Sequence, residues 1–406
     1  MLVTAVLWVG TAGSALAGPF TLTTIDFPGL LITADHSMAG ASVAPRKVVA
    51  GARGPRDNQP MRCPAFPAIL ALLSAACTSP RNSPIPVKVV VVTMFERGAD
   101  SGDQPGEFQN WVEHEKLDQV IAFPQGFHNL RMSADGVLGT VTGVGTARAA
   151  ANIMALGLDP RFDLSKAYWL VAGIAGVDPE DASLGSAAWA EWVVDSDLAH
   201  EIDAREIPKD WKTGYVPLRM SVPYEQPRQT DVQGVFHLQP ALVDWAVRLT
   251  RDVALQDTAA MQQERMKFGS ANARRPPFVL KGDTISGSTF WHGKLLSQWA
   301  NDWVRYHTDG RGNYVTTAME DTGTMQSLEF LARAGRVDLG RVLILRTASD
   351  FDQPTPGETP AQSLARTKIG QYTGYGPAVD AAWRVGRVVV AELVKNWGRY
   401  RDSAPR

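Results

Sequence analysis

The stretch "VKVVVVT" at 87–93 constrains this chain more than any other. A continuous β-branched run has no polar alternation, so it reads as a strand buried on both faces. Such a strand needs helices above and below it. The sequence that follows supplies them. "GVLGTVTGVG" (136–145) is a second strand and feeds the Ala-rich helix "TARAAANIMALG", stopped at Gly157. "AYWLVAG" (167–173) and the more alternating "AAWAEWVV" (187–194) are strands three and four. The helix opening at Pro240 carries Leu242, Trp245, Leu249 and Val253 on one face. "PFVLKGD" (277–283), "GNYVTTAM" (312–319) and "RVLILRT" (341–347) are further strands. "TMQSLEFLARAG" (324–335) is a helix, and a last one runs from about Val379 to Trp397. This alternation predicts one α/β domain over 85–400, a mixed central sheet with helices on both faces.

The bulk numbers exclude several classes. Of 406 residues, 20% are charged and the net charge is −2, so nothing general favours nucleic acid or an anionic membrane surface. The only two cysteines, Cys63 and Cys77, lie ahead of the domain, which leaves its body without a disulfide framework or thiolate site. The seven histidines include no HxxxH or HxH pair, so no metal is expected.

The first 84 residues read as address rather than fold. "MLVTAVLWVGTAGSALAG" ends in an A-x-A pattern but lacks a basic start. "MRCPAFPAILALLSAACTSP" has Arg62, an apolar run and Ala75-Ala76-Cys77, a better signal sequence that also resembles a lipoprotein box. The preferred reading takes 1–60 as a disordered or mis-assigned extension, Met61 as the start, and 61–84 as signal and linker. It places the protein outside the cytoplasm, periplasmic or lipid-anchored through Cys77. Neither run reaches the ~20 apolar residues of a membrane span.

Ligands of such sheets sit beyond the carboxyl ends of the strands, and unusual residues gather there. Gly143 and Gly145 precede a helix whose first N–H groups suit an anion. "AGIAGVDPE" is another glycine-spaced turn. "DTISGSTFWHG", "TAMEDTGT" and "RTASDFD" each follow a strand with small residues and an aromatic or an acid. Each has a bland alternative: a tight turn at Gly143, a core aromatic at Phe290, a first-turn acid at Glu320, a loop cap at Asp350.

Taken in order, "GVGTARAAA", "AGIAG", "ISGSTF", "AMED" and "RTASD" resemble the nucleoside phosphorylase and nucleosidase superfamily. More closely, "GDTISGSTFWHG" and "MEDTGTMQSLEFL" resemble the purine nucleoside permease family, over roughly Pro86 to Trp397. The resemblance implies a nucleoside phosphorylase-like three-layer fold and residue roles. Met319 and Glu320 would hold ribose, and Phe290 would stack on the base. Ser349 and Asp350 would carry the acid that protonates the departing purine, with Arg346 behind that acid. Gly173, Ala175 and Gly176 would form a loop beneath base and sugar. Glu96, a looser match, would lie near the acid that positions water. Gly143, Gly145, Arg97 and Arg148 are the candidates for phosphate, a co-substrate rather than a bound cofactor. Two departures stand out: Ser288 replaces the acid of the familiar "SGD", and Tyr215 to Pro277 is longer than in compact phosphorylases. Purine nucleosides are the expected ligands, with cleavage of their N-glycosidic bond as the expected chemistry. The alternative is an uptake component that binds without cleaving. A homo-oligomer is expected from the resemblance alone.

Overall fold

A computed structural model describes residues 83–228, 233–366 and 372–406. Both export-like segments, the extension, Cys63 and Cys77 lie outside the described residues. The principal strands are β1 (Val89–Thr93), β2 (Val137–Val141), β3 (Tyr168–Val177), β4 (Ala187–Ala190), β5 (Trp192–Asp195), β6 (Asp283–Ser286), β7 (Tyr314–Ala318) and β8 (Val342–Phe351). The helices that matter for the site are α1 (Thr146–Leu158), α2 (Asp321–Arg333) and α3 (Tyr375–Lys395).

β1 is buried along its whole length, as its composition demands. It pairs in parallel with β2 on one side and β3 on the other. β3 then pairs in parallel with β8 from Trp169 to Val177. Beyond β8 the ladder continues antiparallel to β4. Glu191 alone separates β4 from β5, which pairs with β6, then β7, and β7 returns antiparallel to the end of β3. The pairing therefore closes on itself through β3, β8, β4–β5, β6 and β7, and the rest of the mixed sheet extends outward from β1. Ile153 and Leu156 of α1 and Met325, Leu328 and Leu331 of α2 share one core with β1, β3 and β8. Val385, Val389 and Val390 of α3 pack into the same core.

Four expected elements differ. β3 does not stop at Gly173, and β8 does not stop at Thr347; each runs to the end of the closed ladder. "DTIS" is itself strand rather than loop. "AAWAEWVV" is two strands, because the backbone N–H groups of Glu191 and Trp192 both donate to the Asp283 carboxylate instead of to a neighbouring strand.

Glycine sets how α1 and α2 meet. A Cβ on Gly323 would lie 2.1 Å from the Thr146 carbonyl oxygen, and one on Gly157 would lie 2.1 Å from the Leu331 side chain. Without those atoms the helices close up, and their N-termini come together where β2 and β7 end.

Candidate functional site

Glu320 immediately precedes α2 and is 5% exposed. Its carboxylate accepts the Gly145 N–H (3.1 Å) at the start of α1, its neighbour Met319 N–H (3.3 Å) and the Arg346 guanidinium (3.2 Å). Burial pushes its pKa up, and Arg346 offsets part of that. Arg346 comes from β8 and is fully buried. It clamps Asp321 through Nε and Nη2 (2.6 to 3.1 Å) and donates Nη1 to the Ile174 carbonyl (3.1 Å). That two-pronged grip is the strong form of an arginine–carboxylate pair.

A third acid joins this cluster. Glu107 is 2% exposed and accepts the Met94 N–H (2.7 Å) and the Ile174 N–H (2.8 Å). Burial raises its pKa to about 8, against the pull of Arg346 and with a push from Glu320. A Cβ on Gly173 would strike Met94 at 1.9 Å, Glu107 at 2.6 Å and Arg346 at 2.9 Å. Gly173 is therefore a strand glycine that admits this cluster, not part of a turn.

Glu96 lies outside this cluster. Both Glu96 oxygens accept backbone N–H groups, from Arg97 and Gly106 and from Phe108 and Gln109. Glu96 thus staples the 94–109 loop to the start of the short helix Gln109–His114. The loop returns to the strand ends at Glu107, 14 residues past Thr93 (107 − 93). No pattern near β1 marks that return.

Asp350 stands apart from Arg346, contrary to expectation. In a regular strand residues 346 and 350 would share a face. Here Ala348 is opposite Ala175 but Asp350 is opposite Gly176, so Ser349 is an extra residue. The bulge reverses the alternation. Arg346 lies against Gly173, whereas the Asp350 carboxyl lies 3.8 Å from where a Gly176 Cβ would be. Its hydrogen-bond partner is the Ser349 hydroxyl, which donates to Oδ1 at 2.7 Å and also reaches the Ala175 carbonyl at 3.2 Å. Burial raises the Asp350 pKa to about 7, and the Ser349 hydrogen bond offsets part of it.

Asp350 and Ser349 line a cavity of about 90 Å³ together with Phe290, Phe351 and Tyr372. Phe290 is 46% exposed, so it is a cavity wall and not a core aromatic. Tyr372, pushed up to about 12 mainly by burial and also by Asp350, was not signalled by any motif. One loop joins the two clusters: Ser288 accepts the Thr146 N–H (3.1 Å) beside Gly145, and two residues on, Phe290 faces Asp350's cavity.

The residues expected at phosphate are otherwise engaged. The Gly145 and Thr146 N–H groups already donate to Glu320 and Ser288. Arg148 is exposed and donates to the Val144 carbonyl (3.3 Å), packing with Phe127 against Gly143, whose φ is +80°. The Arg97 guanidinium sits 5.5 Å from the centre of the Tyr375 ring.

Comparisons with known proteins follow this geometry. The model of the family described as purine nucleoside permease (NUP) matches residues 86–405. A probable purine nucleoside permease of Schizosaccharomyces pombe is 29% identical over 323 residues, which is 76% of this chain and 90% of that protein. The purine nucleoside permease of Candida albicans is 30% identical over 269 residues, 65% of this chain and 66% of that protein. Among solved structures, the 5′-methylthioadenosine/S-adenosylhomocysteine nucleosidase of Neisseria meningitidis aligns at 16% identity and a TM-score of 0.44, covering 75% of this chain and 99% of that one. Futalosine hydrolase of Helicobacter pylori aligns at 13% identity and a TM-score of 0.45, over 75% and 98%. With the model matched along nearly all of the described fold, the chain belongs to the purine nucleoside permease family.

Proposed function

We propose that this protein binds purine nucleosides and hydrolyses their N-glycosidic bond. The observation that carries the reading is how charge is distributed between the two clusters. Breaking the bond between C1′ and N9 leaves negative charge on the base and positive charge on the sugar. Asp350, held near pKa 7 with no arginine against it among the described residues, is suited to give a proton to N7 as the electron pair moves into the purine. Around Arg346, three carboxyl groups face one cation. That excess of acid does little for a neutral nucleoside and favours a cationic sugar, the kind of differential stabilisation that lowers a barrier.

Glu320 and Met319 would hold the ribose hydroxyls, and Phe290 would lie on the base. Glu107 would take a proton from the water that adds to C1′; a pKa of about 8 makes it an effective base in the fraction that is ionised. Atoms balance as nucleoside plus water giving purine and ribose, with the proton lost from Asp350 recovered from solvent and the one gained by Glu107 released to it. Engagement of the α1 N–H groups by Glu320 and Ser288 supports water over phosphate as the acceptor.

The second reading is an uptake component that binds without cleaving. The description of the relatives as permeases favours it. Among the described residues no helix is long and apolar enough to cross a membrane. Under either reading, export or anchoring through Cys77 remains part of the proposal.

The test incubates the full chain with adenosine, inosine and guanosine, with and without phosphate, and measures free base and ribose. Base with ribose and no phosphate requirement supports hydrolysis. Strict phosphate dependence replaces it with phosphorolysis. Binding with no base released, unchanged in Asp350→Asn, leaves the uptake reading.

A further inference from the structure

The cavity at Asp350 does not close behind the base. Its far wall comes from the long stretch between Tyr215 and Pro277, through Glu264 and Phe268. The Phe268 ring packs on Phe351, the residue after Asp350, with centroids 4.2 Å apart. Phe268, His292, Gln353 and Thr355 also line a neighbouring groove of about 1000 Å³, so cavity and groove share a wall. An exposed leucine stands at each end of this path. Leu364 at the cavity is 57% exposed and Leu295 in the groove is 78% exposed. Leu296, Pro354, Pro356 and Pro360 also line the groove, so an apolar group entering it past Phe268 meets apolar side chains.

We propose that the site takes purine nucleosides bearing an apolar substituent on the 6-position of the base, which runs past Phe268 into this groove. The inference rests on the reading that Asp350 serves the base. In a purine, N7 and the group on C6 share one edge. A base that presents N7 to Asp350 therefore directs its 6-substituent along β8 towards Phe351 and Phe268. An unsubstituted adenine ends at the cavity and leaves the groove's apolar wall bare. A substituent of benzyl size reaches it, and burial of that ring strengthens binding.

Titration calorimetry on the full chain, with adenosine and N6-benzyladenosine, tests this. The wild type is expected to bind N6-benzyladenosine about tenfold tighter than adenosine. Gly269→Trp fills the groove: Gly269 lines it, its φ lies outside the left-handed region, and a Cβ there meets nothing within 4 Å. In that variant the ratio of the two dissociation constants is expected to fall to one or below, with near-UV circular dichroism checking the fold. If adenosine itself does not bind, the nucleoside reading of the site fails and this inference fails with it. If adenosine binds and N6-benzyladenosine binds more weakly to the wild type, only this inference is overturned. It is equally overturned if the benzyl advantage survives in Gly269→Trp.

Discussion

Asp350 and Glu107 together predict a bell-shaped rate profile of unusual origin. On the proposed mechanism Asp350, with a pKa of about 7, must be protonated, and Glu107, with a pKa of about 8, must be ionised. Because the acid has the lower pKa, the working form is a minority at every pH. Treating the two as independent, its population peaks near pH 7.5 at roughly 6% and is about sixfold lower at pH 6 and at pH 9. The assay is kcat/KM for purine release between pH 5.5 and 9.5. Asp350→Asn should lower the rate by about 10² to 10⁴, or about 3 to 5 kcal/mol of barrier, and abolish the alkaline limb. Glu107→Gln should abolish the acid limb. An alkaline limb that survives in Asp350→Asn would refute the assignment, because the group responsible would then lie elsewhere.

Other expectations follow from the same contacts. Both raised acids bind protons in the folded state that the unfolded chain has released, so each subtracts stability as pH rises from its ordinary value to its folded one. Asp350→Asn should therefore raise the melting temperature at pH 8.5 and leave it unchanged at pH 3.5, below both Asp350 values. Glu96→Gln should weaken the 94–109 loop, seen as faster amide exchange at Gly106 and Phe108, while purine release falls less than threefold; Glu107→Gln should do the reverse. Arg346→Met should cost about 3 to 5 kcal/mol in urea unfolding by stranding buried Asp321, and adding Asp321→Asn should recover part of it.

The sheet was legible because it rests on composition. Val89 to Val92 admit little but a doubly covered strand, and the periodic helices after it supply the cover. Strand ends were less legible, since a glycine in a strand and a glycine in a turn look alike in sequence. Gly173 and Gly176 read as a turn, yet both lie in β3, and Gly173 lacks a side chain because Met94, Glu107 and Arg346 fill that space. Closure of the ladder was not readable at all. It depends on β7 returning antiparallel to the last residues of β3, a long-range pairing with no local signature.

The site itself turned on one residue of register. Arg346, Ser349 and Asp350 could be picked out in sequence, but alternation alone would set Arg346 and Asp350 side by side. Such a pair would hold the carboxylate ionised, and an ionised Asp350 has no proton to give. The extra residue at Ser349 turns Asp350 to the face of Gly176 and leaves Arg346 with Asp321 and Glu320. One bulge thus separates the acid cluster around Arg346 from the acid at Asp350 within five residues of the same strand. Deleting it would test the point. Ser349 removed should restore the alternation, bring Asp350 towards Arg346, and pull its pKa from about 7 back to the ordinary carboxylate range. The alkaline limb would then disappear along with general acid catalysis, while Glu320 and its hold on α1 stayed in place.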